Sequence, residues 1–152
     1  MASRQPAGGD GSGLVRRLLS HWLGVGASSA ARTMSDPEHA WQLVSEPALW
    51  ELWMPRVQSL LDAPRSLRGG AYYRVALRQQ RGRLGLAPTG PAHIVIDAFE
   101  PGLVLAWTLT SGRLVERFRL ARDGSEFALA GSGSARAAAV LDELDRQATT
   151  IV

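Results

Sequence analysis

SDPEHAWQLVSEPALWELWMPRV, from Ser35 to Val57, carries three of the chain's five tryptophans and two helix starts. Ser35 followed three residues later by Glu38 reads as a capping box, with Pro37 in the first turn, where a missing N–H costs little. Ala40, Trp41 and Val44 then recur at helical spacing. Ser45, Glu46 and Pro47 stop that helix and begin a second short one, whose Leu49, Trp50, Leu52 and Trp53 give it an apolar side. Met54 before Pro55 ends it, because the residue before a proline is pushed out of the helical region. Two short helices with this much indole cannot bury themselves against each other alone, so the rest of the chain must supply a sheet.

It does so downstream. After Gly69-Gly70, Ala71, Tyr73, Val75 and Leu77 alternate with Tyr72, Arg74, Ala76 and Arg78, the period of a half-buried strand. AHIVIDAF, starting at Ala92, leads through Glu100-Pro101-Gly102 into LVLAWTLT, where Leu103, Leu105, Trp107 and Leu109 share a face. Ser111-Gly112 turns the chain into RLVERFRLA, and Asp123-Gly124 suits a tight turn into the short EFALA. VQSLLD from Val57 is a further strand, and GASSAARTM before Ser35 a weaker one. Beyond Gly131-Ser132-Gly133 the period changes to three and four, through Ala137, Val140, Leu141, Leu144, Ala148 and Ile151. That is an amphipathic helix, with Ser134 as a candidate cap. A strand, two short helices, six strands and one long helix, without βαβ alternation, specify an α+β fold: a curved antiparallel sheet of about seven strands around a long C-terminal helix.

At this point the chain resembles the START-like superfamily of helix-grip domains, in particular its polyketide cyclase/dehydrase and lipid-transport branch. The resemblance rests on the tryptophan, leucine and proline pattern from Glu38 to Val57, on Gly70 before the strand carrying Tyr73-Arg74, and on IDAFEPGLVLAW from Ile96 to Trp107. It covers roughly residues 27–152. It implies an apolar cavity between sheet and long helix, made small or leaky by the short last strand and by the loosened loop RGRLGLAPTG from Arg81 to Gly90. Residues 1–13 read as a flexible tail, 14–25 as a short amphipathic segment and 26–152 as the helix-grip domain.

Composition bounds the function. The chain's 152 residues suffice for one substantial core. With no cysteine, disulfides, thiolate nucleophiles and cysteine-ligated metals are excluded, and a cytoplasmic location is expected. No apolar run reaches the length of a membrane span, so stable membrane insertion is not expected. Every side-chain ammonium or guanidinium is Arg, with no Lys and no Asn anywhere, and the net charge is only +3. Arg65, Arg68, Arg74, Arg78, Arg81 and Arg83 run without an acid between Asp62 and Asp97, but lack exposed aromatics for base stacking. They read as a solvated sheet face, and no nucleic-acid partner is expected. His21, His39 and His93 have no ligand spacing, so no metal is expected. No nucleophile elbow, Walker loop or dinucleotide fingerprint occurs, and no cofactor is expected.

The expected ligand is therefore a hydrophobic small molecule, lipid, polyketide or isoprenoid-like, held in an internal cavity. Its lining is expected from Trp41, Trp50, Trp53, Tyr73, Trp107, Glu116, Phe118, Leu141 and Leu144. A polyketide cyclase or dehydratase is the enzymatic alternative, with Glu116 and Tyr73 the candidate catalytic residues, and a regulatory protein with a vestigial cavity is the third. Glu116 draws attention because strand parity places it with Leu114, Phe118 and Leu120, opposite Arg113, Arg117 and Arg119. An acid on that face either reaches water or an arginine, or lines the cavity as a proton donor with Tyr73 as its companion.

Overall fold

The computed structural model describes Gly13 and residues 28–62, 66–78, 92–132 and 136–150. Strand β1 (Ser28–Thr33) is followed by helix α1 (Pro37–Ser45) and a 3₁₀ helix (Pro47–Leu52). Six strands come next: β2 (Val57–Leu60), β3 (Tyr72–Leu77), β4 (Ala92–Glu100), β5 (Val104–Ser111), β6 (Leu114–Asp123) and β7 (Glu126–Gly131). Helix α2 (Ala137–Thr149) is last. All seven strands join one antiparallel sheet in the order β1-β7-β6-β5-β4-β3-β2. Strands β2 to β7 thus form a meander, and β1 closes its far edge. This curved sheet with its C-terminal helix fits the helix-grip architecture, weak first strand included.

Local chemistry explains the connections. The β5–β6 and β6–β7 hairpins have two-residue loops, Gly112-Arg113 and Gly124-Ser125. In both, glycine takes the first loop position with φ of +59° and +63°, which a side chain would resist and which matches the twist of the flanking strands. Strand β4 carries a bulge at Asp97, since Ile96 faces Trp107 while Ala98 faces Ala106. The bulge brings Phe99 opposite Leu105, and Asp97 accepts a hydrogen bond from Thr108 Oγ1 at 2.6 Å.

Two expectations need correction. Asp36, not Ser35, caps α1: its Oδ1 accepts from the His39 N–H at 3.1 Å. The Ser35 N–H donates instead to Asp145 of α2 at 2.9 Å, and Glu38 pairs with Arg122, so no capping box closes. Leu103 lies in the β4–β5 turn, not on the apolar face of β5; its N–H donates to Glu100 O, and its side chain is exposed. At the start of helix α2, Arg136 makes no side-chain cap, and the Ala137 N–H donates to Ser28 Oγ of β1 at 3.0 Å. Ser134, the expected cap, lies outside the described residues, as do the tail at 1–12, the amphipathic segment and the 81–90 loop.

Helix α2 packs on β1, β7 and α1. Its Val140, Leu141, Leu144 and Ala148 are buried, while Arg32 of β1 clamps its outer side through Asp142 at 2.6 Å and Asp145 at 2.8 Å. The His39 Nδ1–H donates to Ala148 O at 2.6 Å near the helix end, where carbonyls lack helical partners. The main core fills the space between the sheet's inner face, α1 and α2.

Candidate functional site

The registers of β3 to β7 set out the inner face in rows. One row runs Tyr73, Ile94, Leu109, Glu116, and the next runs Ile96, Trp107, Phe118, Gly131. Ser111 lies one step beyond Leu109 toward the β5–β6 turn, on the same face, because alternate residues of a strand share a side.

Aromatic rings fill the centre. Trp107 stacks on Phe118 with centroids 5.0 Å apart, and Trp53 meets Trp107 edge-on at 5.8 Å. Trp50 meets Tyr73 edge-on at 5.1 Å, and Trp41 approaches Phe127 at 6.1 Å. The 3₁₀ helix is tied to α1 by its indoles: Trp50 Nε1–H donates to Val44 O and Trp53 Nε1–H to Leu43 O, each at 2.9 Å. Those carbonyls belong to the last turn of α1 and have no intrahelical partner, so the tryptophans satisfy the helix end while burying their rings. The Phe118 ring lies directly against Gly131, where a Cβ would come within 2.7 Å of it.

The polar groups gather at the β5–β6 turn end of this face. Glu116 is 1% exposed, and Arg56 Nε–H donates to its Oε1 at 2.7 Å. Arg56 reaches it from the turn before β2 with φ at +68°, a left-handed conformation that costs a residue with a side chain about 1 kcal/mol or more. Its carbonyl is held by the Arg78 N–H at 2.8 Å. Ser111 is 2% exposed, and its Oγ has no hydrogen-bond partner among the described residues. Since Ser111 faces Leu114 and Leu109 faces Glu116 across the β5–β6 ladder, Ser111 and Glu116 are diagonal neighbours, roughly 7–8 Å apart along the backbone. The result is an Arg–Glu ion pair and, among the described residues, a hydroxyl without a hydrogen-bond partner, set into an apolar, aromatic surface.

Trp41, Trp50, Trp53, Tyr73, Trp107, Phe118, Leu141 and Leu144 all lie in one buried cluster. Glu116 points inward as strand parity requires, and Arg56 pairs with it. Tyr73 shares its row, with Ile94 and Leu109 between them, so the two backbones lie about 14 Å apart, three strand spacings. Two site residues were missed. Ser111 was legible, since continuing Leu105, Trp107, Leu109 by two reaches it, but Ser-Gly also reads as turn. Arg56 gave no signal, because its approach depends on a positive φ at a position without glycine. On the outer face, Arg74 of the basic run pairs with Asp62 at 2.8 Å; Arg65, Arg81 and Arg83 lie outside the described residues. No described helix is long and apolar enough to cross a membrane.

Compared by sequence, the chain matches no protein-family model and no curated protein. Solved structures share its fold. Protein CV1439 from Chromobacterium violaceum is 14% identical, with a TM-score of 0.58 over 84% of this chain and 100% of that one. DR_A0006 from Deinococcus radiodurans is 20% identical, with a TM-score of 0.54 over 81% of this chain and 94% of its own. DynU16, a protein in the dynemicin biosynthetic locus, is 15% identical, with a TM-score of 0.55 over 84% of this chain and 48% of its own. At such identities the likeness establishes the architecture and nothing about ligands.

Proposed function

We propose that this protein binds or carries a hydrophobic small molecule, lipid, polyketide or isoprenoid-like, against the inner face of its sheet, as a member of the START-like superfamily. The observation that carries this reading is the polar set in the aromatic wall: Arg56 and Glu116 paired beside a Ser111 hydroxyl that has no partner among the described residues. A core built only for stability gains little from a buried ion pair, which apolar residues of similar volume commonly match or better. A ligand site needs a few placed polar groups in an apolar lining, and this face supplies them. The cyclase or dehydratase alternative needs two polar groups converging on one atom, a role for which Tyr73 and Glu116 stand in one row of the inner face.

The test is native mass spectrometry of the protein purified from its own host under non-denaturing conditions. A copurifying apolar molecule, lost on Trp107→Ala but retained on the surface substitution Arg113→Ala, is the expected result. Protein of bare chain mass from host cells, with no thermal stabilisation by a panel of lipids and aromatic polyketides, would defeat the reading.

A further inference from the structure

We propose that the outward face of the sheet, opposite the main core, is a docking surface for the chain's own segment 14–25, LVRRLLSHWLGV. The registers set two rows of mostly small residues on that face. Ala31, Ala128, Ala121 and Val104 stand in one row, and Ala130, Arg119 and Ala106 in the next. Ala128 and Ala130 are 0% exposed, Ala106 5% and Ala121 6%. Val115 gives the contrast: it shares strand and side with Ala121, yet it is 53% exposed. A methyl group cannot bury itself, and Arg119 is the one long side chain in these two rows. The cover does not come from the helices. The buried apolar residues of α1 and α2 belong to the main core, and among the described residues the alanine cluster contains strand residues only.

Segment 14–25 has the pattern, the reach and the charge to be that cover. Leu14, Leu18, Trp22 and Val25 recur at helical spacing, and Gly13 just before them is helical. Large side chains of such a stripe seat closely on alanines, because facing layers pack best where large residues meet small ones. As a helix, the segment would measure about 18 Å, against about 14 Å for the three strand spacings from β1 to β5. Only Gly26 and Ala27 separate it from Ser28, where β1 begins beside the patch, so its end lies within about 11 Å of that edge. Asp123 and Glu126 face each other across the ladder on the same side, at the margin of the patch, and Arg16 and Arg17 bring the opposite sign. A segment seated there braces the edge strand β1 against β7 and β6.

Hydrogen exchange of the full chain, read by mass spectrometry on peptides covering residues 14–25, tests this. A helix of this length is marginal alone in water, so protection of those amides reports packing. Wild type should protect them. Leu18→Asp, a change within the segment, should speed their exchange at least about tenfold, the equivalent of losing one buried leucine, while peptides of β4 keep their wild-type rate. Ala128→Glu should release the segment from the sheet side. Should that variant fail to fold, iodide quenching of Leu18→Asp decides with the exchange data: Trp41, Trp50, Trp53 and Trp107 are buried, so release should make Trp22 newly accessible. Unprotected amides at 14–25 in wild type, or an unchanged rate in Leu18→Asp, would overturn the inference. Protection that appears only with a dimer in analytical ultracentrifugation would overturn it in favour of a second copy on this face. Protection that requires phosphatidylglycerol vesicles would overturn it in favour of a membrane surface.

Discussion

Replacing Gly131 by alanine tests how tightly the aromatic wall is built, because the sign of the effect depends on one contact. Gly131 sits in β7 opposite Phe118, and its φ is not among the positive values, so alanine suits its backbone. On backbone grounds alone, glycine to alanine at such a site should stabilise by about 0.4–1 kcal/mol, through the entropy of the unfolded chain. The ring opposes this. An added Cβ would lie 2.7 Å from Phe118 Cδ1 and 2.9 Å from Cε1, so the ring must retreat by roughly 0.8 Å to reach ordinary carbon contact. It has little room to do so: Phe118 is 1% exposed and stacks on Trp107, which is itself held by Trp53. Overpacking of this kind costs about 1–3 kcal/mol, so the net expectation is a loss of about 1–2 kcal/mol. Urea unfolding followed by tryptophan fluorescence measures it, and the Phe118→Leu background should remove most of the loss in a double-mutant cycle. An unchanged or raised midpoint for Gly131→Ala in the wild-type background would show that the ring is not held against the strand.

Arg56→Ala should destabilise by about 3–5 kcal/mol, because it takes a paired guanidinium away from the buried Glu116 carboxylate; adding Glu116→Leu should recover much of that, and a double variant no more stable than the single one would contradict the pairing. The Asp145 carboxyl is pushed up by burial, but the Ser35 N–H and the Arg32 guanidinium outweigh this and hold it below the usual carboxylate value. A lowered folded value means that its contribution is complete above the unfolded carboxylate range and is lost as pH falls through the folded value. Asp145→Asn keeps an acceptor for Ser35 but loses the charge facing Arg32, and should cost about 1 kcal/mol near neutrality; a difference from wild type that fails to shrink in acid unfolding curves would refute the assignment. Leu144→Asp puts a charge at a fully buried position of α2 and should cost several kcal/mol or prevent folding, whereas an unaltered melting temperature would mean that this helix does not cover the core.

The strands were legible because their side chains alternate, and the hairpins because Gly112 and Gly124 sit where turns need them. Burial of Trp41, Trp50, Trp53 and Trp107 followed from indole size and spacing. The capping of α1 was placed one residue early because Ser35-Asp36 offers two capping side chains in succession. Which one caps depends on Asp145, 110 residues away, taking the Ser35 N–H. The same limit hid the cap of α2, since the Ser28 hydroxyl at Ala137 comes from the other end of the described chain. Periodicity reports which face a residue takes, not which distant group will meet it there.

That limit also explains the reading of Glu116. Parity put it inward correctly, and an inward acid needs a partner, but nothing near it in sequence supplies one. Arg56 does so from a turn whose conformation no local residue advertises. The polar groups therefore collect at the β5–β6 turn end of the inner face, beyond the point where β7 stops opposite Phe118, while α2 packs on β1, β7 and α1. Under the proposed function, stability and recognition fall to different parts of one surface. Substitutions beneath α2, such as Leu144→Asp, should move the melting temperature whatever the ligand, whereas Ser111→Ala should change affinity and leave the unliganded fold intact. If Ser111→Ala and Leu144→Asp instead shifted stability alike, the polar end would be ordinary core and the inner face would have no part set aside for a ligand.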